Sequence, residues 1–240
     1  ILNECSIKEE QENQFSLSEE LILQLINLSK KGKYDELKIF LEKYSPNKAE
    51  IDLAIRKGFY EFKSIDINYC KTIKELFKHA DLNYCNPFFD NTNLLMYVCA
   101  KSNNYIFDLL FDQNYLSNQE NNNNDKFNKQ NKGNNNSYVD INLYQVDNNN
   151  NNLFHYLFGD MNQPKEIIEA INKIMSYKGK YNNKIYSLEK KKYLFTQPNN
   201  EGITPIIIIL RKGHVDILNL IYKYIDYQKY IIPSSNNNLI

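Results

Sequence analysis

The densest run of chemically capable side chains lies between residues 173 and 195. Lys173, Lys178, Lys180, Lys184 and Lys190 to Lys192 are interleaved there with Tyr177, Tyr181, Tyr186 and Tyr193, against a single carboxylate, Glu189. Cations alternating with aromatics can hold phosphates and stack bases, so a nucleic acid or an acidic lipid is one reading of this stretch. Composition supplies a plainer one. The chain holds 38 asparagines, and only Arg56 and Arg211 among its 29 basic residues are arginine. Asn, Lys, Ile, Tyr and Phe share AT-rich codons, a bias of the genome rather than of a task. Asparagine-rich tracts inside domains are typical of certain protists. The expectation is therefore a solvated loop, and nucleic acid is not the expected partner.

Other chemistry is sparse. His79, His155 and His214 are far apart in sequence, and Cys5, Cys70, Cys85 and Cys99 form neither zinc-ligand pairs nor a disulfide framework. The pairs Glu9-Glu10 and Glu19-Glu20 are adjacent, and adjacent residues of a helix point apart, so they read as a solvated acidic face. No glycine-rich phosphate loop, Gly-x-Ser-x-Gly, His-Glu-x-x-His or Cys-x-x-Cys occurs. The expected catalytic residues, metal ligands and cofactors are none, and the chain reads as a binding module rather than an enzyme.

The formal net charge is zero, which removes any global attraction to polyanions. No run approaches the roughly 18 apolar residues of a membrane span. The polar, acidic start carries no signal-peptide pattern, and a first residue of isoleucine suggests a piece of a longer protein. A reducing compartment is expected, cytoplasmic with the nucleus as alternative.

Which elements would position these residues? The clearest signal is 199–221. Asn199-Asn200-Glu201-Gly202 reads as a turn. Thr204 can cap a helix whose first position, Pro205, lacks the N–H that would be unsatisfied there. Ile206, Ile209 and Leu210 share one helical face, Gly213 relieves the break before His214, and Ile217, Leu218 and Ile221 recur at helical spacing with Asp216 and Asn219 outward.

Turn, Thr-Pro start, short helix, Gly-His break and second helix closely resemble an ankyrin repeat. A second copy starts at Asn93-Leu94-Leu95, after Ala80-Asp81-Leu82-Asn83. Its second-helix core is Ile106, Phe107, Leu109 and Leu110. A third follows Val139-Asp140-Ile141-Asn142, with Asn152-Leu153-Phe154-His155 at the Thr-Pro-Leu-His position and Ile167, Ile168 and Ile171 behind it. Upstream, Ser18 caps an acidic first turn, Leu21, Ile22, Leu25, Ile26 and Leu28 follow, Gly32 breaks, and Leu37, Phe40 and Leu41 resume, similar to a capping repeat. Ile51 to Ile55, Gly58, Ile73, Leu76 and Phe77 suggest another repeat, with Ile65-Asp66-Ile67-Asn68 mimicking a unit-ending loop.

The copies start at 93, 152 and 204, spaced by more than the roughly 33 residues of this repeat. Two insertions absorb the excess: an Asn-rich stretch at about 113–138, expected to be disordered, and the Lys/Tyr-rich stretch at about 173–195. The resemblance implies an all-α solenoid of stacked helix pairs with four to five degenerate repeats, covering 18–226 between a polar segment 1–17 and a tail 227–240.

It further implies a monomeric array whose partner is an unidentified protein, seated in a groove lined by hairpin tips and the ends of first helices. The matching positions are Phe89, Asp90, Thr92, Ala100 and Lys101; Asn148, Asn149, Asn151, Gly159 and Asp160; and Asn200, Glu201, Ile203, Arg211 and Lys212. Phe88 and Phe89 are the expected aromatic anchors. Thr204, Pro205, Gly213, His214 and His155 carry the repeat's structural roles, His155 as a brace between loops. The paired alanines of the family are replaced by Val98-Cys99, Leu157-Phe158 and Ile209-Leu210, and its histidine by Met96 and Ile207 in two copies. An alternative is the substrate-recruiting arm of a larger enzyme, a protein S-acyltransferase or kinase, since such arrays occur fused to both.

Overall fold

The computed structural model describes residues 15–58, 67–101, 104–111, 141–159, 163–178, 180–181 and 184–225. Over these residues the regular structure is helical apart from one short antiparallel strand pair and a single bridge between Asn86 and Thr92. It divides into two compact units, 1–97 and 98–240.

The first unit opens with α1 (Glu19–Lys30), capped by Ser18, whose hydroxyl accepts from the Leu21 amide. Glu19 and Glu20 lie in the first turn and Lys30 in the last, each sign matched to the helix dipole. Helix α2 (Tyr34–Tyr44) follows a turn at Gly32, where φ is 62° and a Cβ would sit 3.3 Å from the Tyr69 backbone. Both the left-handed backbone and the close approach demand glycine there. Helices α3 (Lys48–Gly58) and α4 (Ile67–His79) complete the set. Alternate helices pack together, α1 on α3 and α2 on α4. Leu25, Leu37, Ile51, Ile55 and Leu76 have no exposed surface. Ile67 and Asn68 begin α4, so they do not form the repeat-ending loop that the Ile65–Asn68 stretch suggests.

Helix α5 (Leu94–Lys101) contains the division between the units. The second unit continues with α6 (Asn104–Phe111), α7 (Leu153–Leu157) and α8 (Pro164–Ser176). Strands β1 (Lys180–Tyr181) and β2 (Lys184–Ile185) pair antiparallel ahead of α9 (Leu188–Tyr193), α10 (Pro205–Lys212) and α11 (Val215–Tyr224). The same alternation holds: α7 packs on α10, while α8 packs on α6 and on α11. At the centre Phe154, Phe158 and Phe195 are fully buried, with Phe154 and Phe195 stacked at 4.2 Å between centroids.

Large side chains stand where close helix packing would favour alanine, and they are accommodated inside. Val98, Cys99, Leu157, Phe158 and Ile209 are all buried. Leu210 is the exception. It is 50% exposed, correcting its expected place on the core face beside Ile206 and Ile209. The helix is short enough that one apolar stripe, through Ile206 and Ile209, suffices to seat it.

The Asn-rich stretch 113–138, the segment 1–14, the tail 227–240 and Asp160 lie outside the described residues. The Lys/Tyr-rich stretch is not a solvated loop. Lys173 to Ser176 finish α8, the strand pair and α9 follow, and Tyr177 and Tyr186 are buried.

Candidate functional site

Two turns of the second unit, 147–151 and 199–203, have the same internal wiring. In each, a short polar side chain at the first position accepts two amides ahead of it. Asp147 Oδ1 accepts from Asn149 (2.9 Å) and Asn151 (2.7 Å), and Asn199 Oδ1 accepts from Glu201 (3.0 Å) and Ile203 (2.9 Å). Each turn closes with the first amide donating to the fifth carbonyl, at 3.1 and 2.9 Å. The fourth residue takes a left-handed backbone in both, Asn150 at φ 62° and Gly202 at φ 75°. A helix cap follows directly: Asn152 Oδ1 accepts from Phe154, and Thr204 Oγ1 from Ile207. Short polar side chains mimic a backbone turn in this way, which is why Asx and Thr recur at these positions.

The two turns are fastened to each other. The Asn200 amide donates to the Asn149 carbonyl at 2.9 Å and its side chain to the Asn148 carbonyl at 3.2 Å. Asn199 Nδ2 reaches Asn151 Oδ1 at 2.9 Å, and Asn150 Nδ2 reaches the Pro198 carbonyl at 3.1 Å. His155 completes the link. Its Nδ1 accepts from the Asn152 amide at 3.1 Å, which places the proton on Nε2, and Nε2–H donates to the Ile203 carbonyl at 3.0 Å. Burial holds the imidazole below its ordinary pKa, partly offset by the Ile203 bond, so it is a neutral brace. Tyr156 supports the first turn by donating to Asp147 Oδ2 at 2.6 Å.

What remains outward at these tips is Asn148, Asn149, Asn200 and Glu201, with Arg211 exposed near the end of α10. Asn151 and Ile203 are half-buried and occupied within the turns. Lys212 donates to the Gly159 carbonyl, tying the end of α10 to the second residue beyond α7. Ala100 is half-buried and Lys101 exposed. Gly213 caps α10 at φ 70°, and His214 lies at the start of α11 without a side-chain cap.

In the first unit the corresponding loop, 86–92, is built around Arg56, a residue the sequence reading passed over. Arg56 is 3% exposed. Its Nε donates to Asp52 Oδ2 at 2.6 Å, Nη1 to the Thr92 hydroxyl at 2.9 Å and Nη2 to the Thr92 carbonyl at 2.7 Å. Asn86 Nδ2 donates to the same Asp52 oxygen at 2.7 Å. The guanidinium lies 4.9 Å from the Phe89 ring centroid and 5.1 Å from that of Tyr97, and the Tyr97 hydroxyl donates to the Arg56 carbonyl at 2.6 Å. Burial pushes the Asp52 carboxyl above its usual range, with Arg56 and Asn86 pulling back.

Two expectations change here. Thr92 is buried with both its oxygens on Arg56, so it is no surface contact. Of the two phenylalanines, Phe89 is half-buried against Arg56, whereas Phe88 is 61% exposed and stacks on Phe15 at 5.2 Å. Pro87, Phe88 and Asp90 are the outward residues of this tip. The signal available in advance was Arg56 itself, one of only two arginines, four residues after Asp52.

One charge of the Lys/Tyr-rich segment is turned inward. Lys191 is 3% exposed and its ammonium donates to the carbonyls of Ile174 (3.3 Å), Met175 (2.7 Å) and Tyr177 (2.6 Å), closing the C-terminus of α8. Lys192 pairs with Glu189, and Lys173 with Asp108. Lys178, Lys190 and Tyr193 remain exposed.

A polar, open groove of about 580 Å³ lies on α1 and α2 between Leu23, Asn27, Lys31 and Glu36. Among the described residues no group of three or more His, Cys, Asp or Glu could hold a metal ion, and no helix is long and apolar enough to cross a membrane. No protein-family model matches the chain, and no curated protein matches it.

Proposed function

We propose that this chain is a protein-interaction module of degenerate ankyrin-type helix pairs, taking its partner at hairpin tips and the adjoining ends of first helices. One observation carries the reading. The turn at 147–151 recurs at 199–203 with the same hydrogen bonds, each turn runs into a capped helix, and His155 ties one turn to the next. The alternating packing of α6, α8 and α11 on one side, and of α7 and α10 on the other, supports it. In such an arrangement the framework is rigid and the outward tips are free to vary, which suits recognition by surface rather than by reaction.

The outward tip residues have mixed character: Glu201 and Arg211 carry opposite charges among neutral amides. A partner with a complementary polar patch is the natural fit. The test is site-directed photocrosslinking in cells expressing the chain, with the crosslinker at Glu201, at Arg211 or at the exposed Asn219 of α11. The reading requires the same protein adduct from the first two positions and none from Asn219. An adduct formed equally well from Asn219, or none from Glu201 and Arg211, overturns it.

A further inference from the structure

Helix α1 is preceded by a strap, Phe15 to Leu17, that lies outside any helix. It is held by one carboxylate. Glu50 has no exposed surface, and its Oε1 accepts from the amides of Ser16 and Leu17, both at 2.6 Å. The Ser16 hydroxyl lies 3.2 Å from Oε1 and 3.1 Å from Oε2. Oε2 also accepts from the Asn47 amide at 2.7 Å, completing the start of α3. Among the described residues no cation pairs with Glu50; its charge is met by N–H and O–H donors alone. Phe15 then lies on Phe88.

Ser16 is nevertheless exposed, and its sequence surroundings are acidic: Glu9, Glu10 and Glu12 before it, Glu19 and Glu20 after. An exposed serine outside any helix, with carboxylates three and four residues downstream on the first turn of α1, matches the sequence pattern that acid-directed protein kinases accept. We propose that Ser16 is a phosphorylation site and that its modification releases the strap from Glu50. The hydroxyl oxygen would attack the γ-phosphorus of a nucleoside triphosphate. The new O–P bond forms as the bond to the departing nucleoside diphosphate breaks, and the hydroxyl proton passes to the kinase's base. The product places a phosphate of nearly two negative charges against a buried carboxylate that has no counter-cation among the described residues. Like charges in that position repel, the hydroxyl donor is gone, and Phe15 is withdrawn from Phe88. This inference stands apart from the partner reading, because its readouts need no partner.

The experiment has two arms on the full chain. In the first, an acid-directed Ser/Thr kinase and ATP are added and the product is mapped by mass spectrometry. Phosphate on Ser16, lost in S16A, is expected. Phosphate confined to Ser18, or none on 15–20, overturns the site. In the second, amide hydrogen exchange is followed at Ser16 and Leu17. S16D is expected to speed it by roughly 100-fold and S16A by less than about fivefold, as like-charge contact costs far more than a lost hydroxyl. In an E50Q background the difference between S16D and S16A should shrink below about threefold, since the opposing charge is gone. Unchanged exchange in S16D, or a difference that survives E50Q, overturns the release.

Discussion

The loop at 86–92 and the turns at 147–151 and 199–203 do the same job by opposite means. In the first unit a buried charge pair, Arg56 with Asp52, reaches out to Thr92 and Asn86 and is covered by Phe89 and Tyr97. In the second, neutral groups suffice: asparagine side chains, turn amides and the imidazole of His155. Loop 86–92 is also longer, seven residues (86–92) ahead of the cap Asn93 against five (147–151) ahead of Asn152, and it holds a short 3₁₀ turn at Pro87–Phe89. The extra length leaves more backbone to fasten, and the five-donor guanidinium fastens it from one point. A charge anchors strongly but fails completely when half of it is removed. A distributed neutral network fails by degrees.

The largest test of this contrast is Arg56→Ala. Asp52 would be left buried and unpaired, and removal of one partner of such a pair costs about 3–5 kcal/mol. Hydrogen exchange across 86–92 should rise by several orders of magnitude, while the turns of the second unit keep their protection. Loss of protection in both units alike would show that the anchor is not local. His155→Ala, by the same measurement at 147–155 and 199–203, should cost about 1–3 kcal/mol, the penalty for orphaning a buried amide and carbonyl.

Acid should separate the two loops without mutation. Burial lowers the pKa of His155, so on acidification the unfolded chain takes up the proton first. The contribution of His155 is therefore complete above about pH 6.5 and declines as pH falls below it toward the lowered folded value. Asp52 runs the other way. Its raised pKa means the folded state takes the proton first, so acid does not weaken its contribution between the folded value and about 3.9. Exchange compared at pH 7 and 5, corrected for intrinsic rates, should loosen 147–155 and spare 86–92. Equal loosening would break the comparison. Smaller again is Thr204→Ala, about 1 kcal/mol for a lost helix cap, read by denaturant titration of the second unit. Smallest is Leu210→Ser. Half-exposed, it should shift that titration by less than about 0.5 kcal/mol.

Much of the second unit was legible because its signals are local. The cap at Thr204, the proline at the first helical position and Gly213 with positive φ all act within a few residues, and each is observed where its type suggests. Asn93 and Asn152 stand at the same place and also cap helices, although neither is Thr-Pro. Ser18 and Gly32 frame α1 in the same local fashion. His155 was read as a loop brace, and its two bonds serve that role.

What escaped was everything that depends on distance in sequence. Lys191 looks like one cation among seven, yet it closes the helix end some 15 residues earlier. Thr92 looks like a loop-surface residue until Arg56, 36 positions away, is brought to it. Asparagine enrichment reads as codon bias, but Asn150, Asn151, Asn199 and Asn200 hold two turns together across about 50 residues. Leu210 follows the apolar rhythm of its helix and still faces water.

By itself, then, the amino-acid order determined the helix starts capped by Ser18, Asn93, Asn152 and Thr204 and the turns at Gly32 and Gly213, because capping, proline and left-handed glycine are short-range steric and hydrogen-bonding effects; the start of α4 and the whole of α9 escaped it. Only the tertiary structure decided which polar side chains are buried partners and which are outward and available. That choice depends on which surfaces meet, and a side chain's desolvation and its hydrogen-bond partners are properties of the contact rather than of the residue.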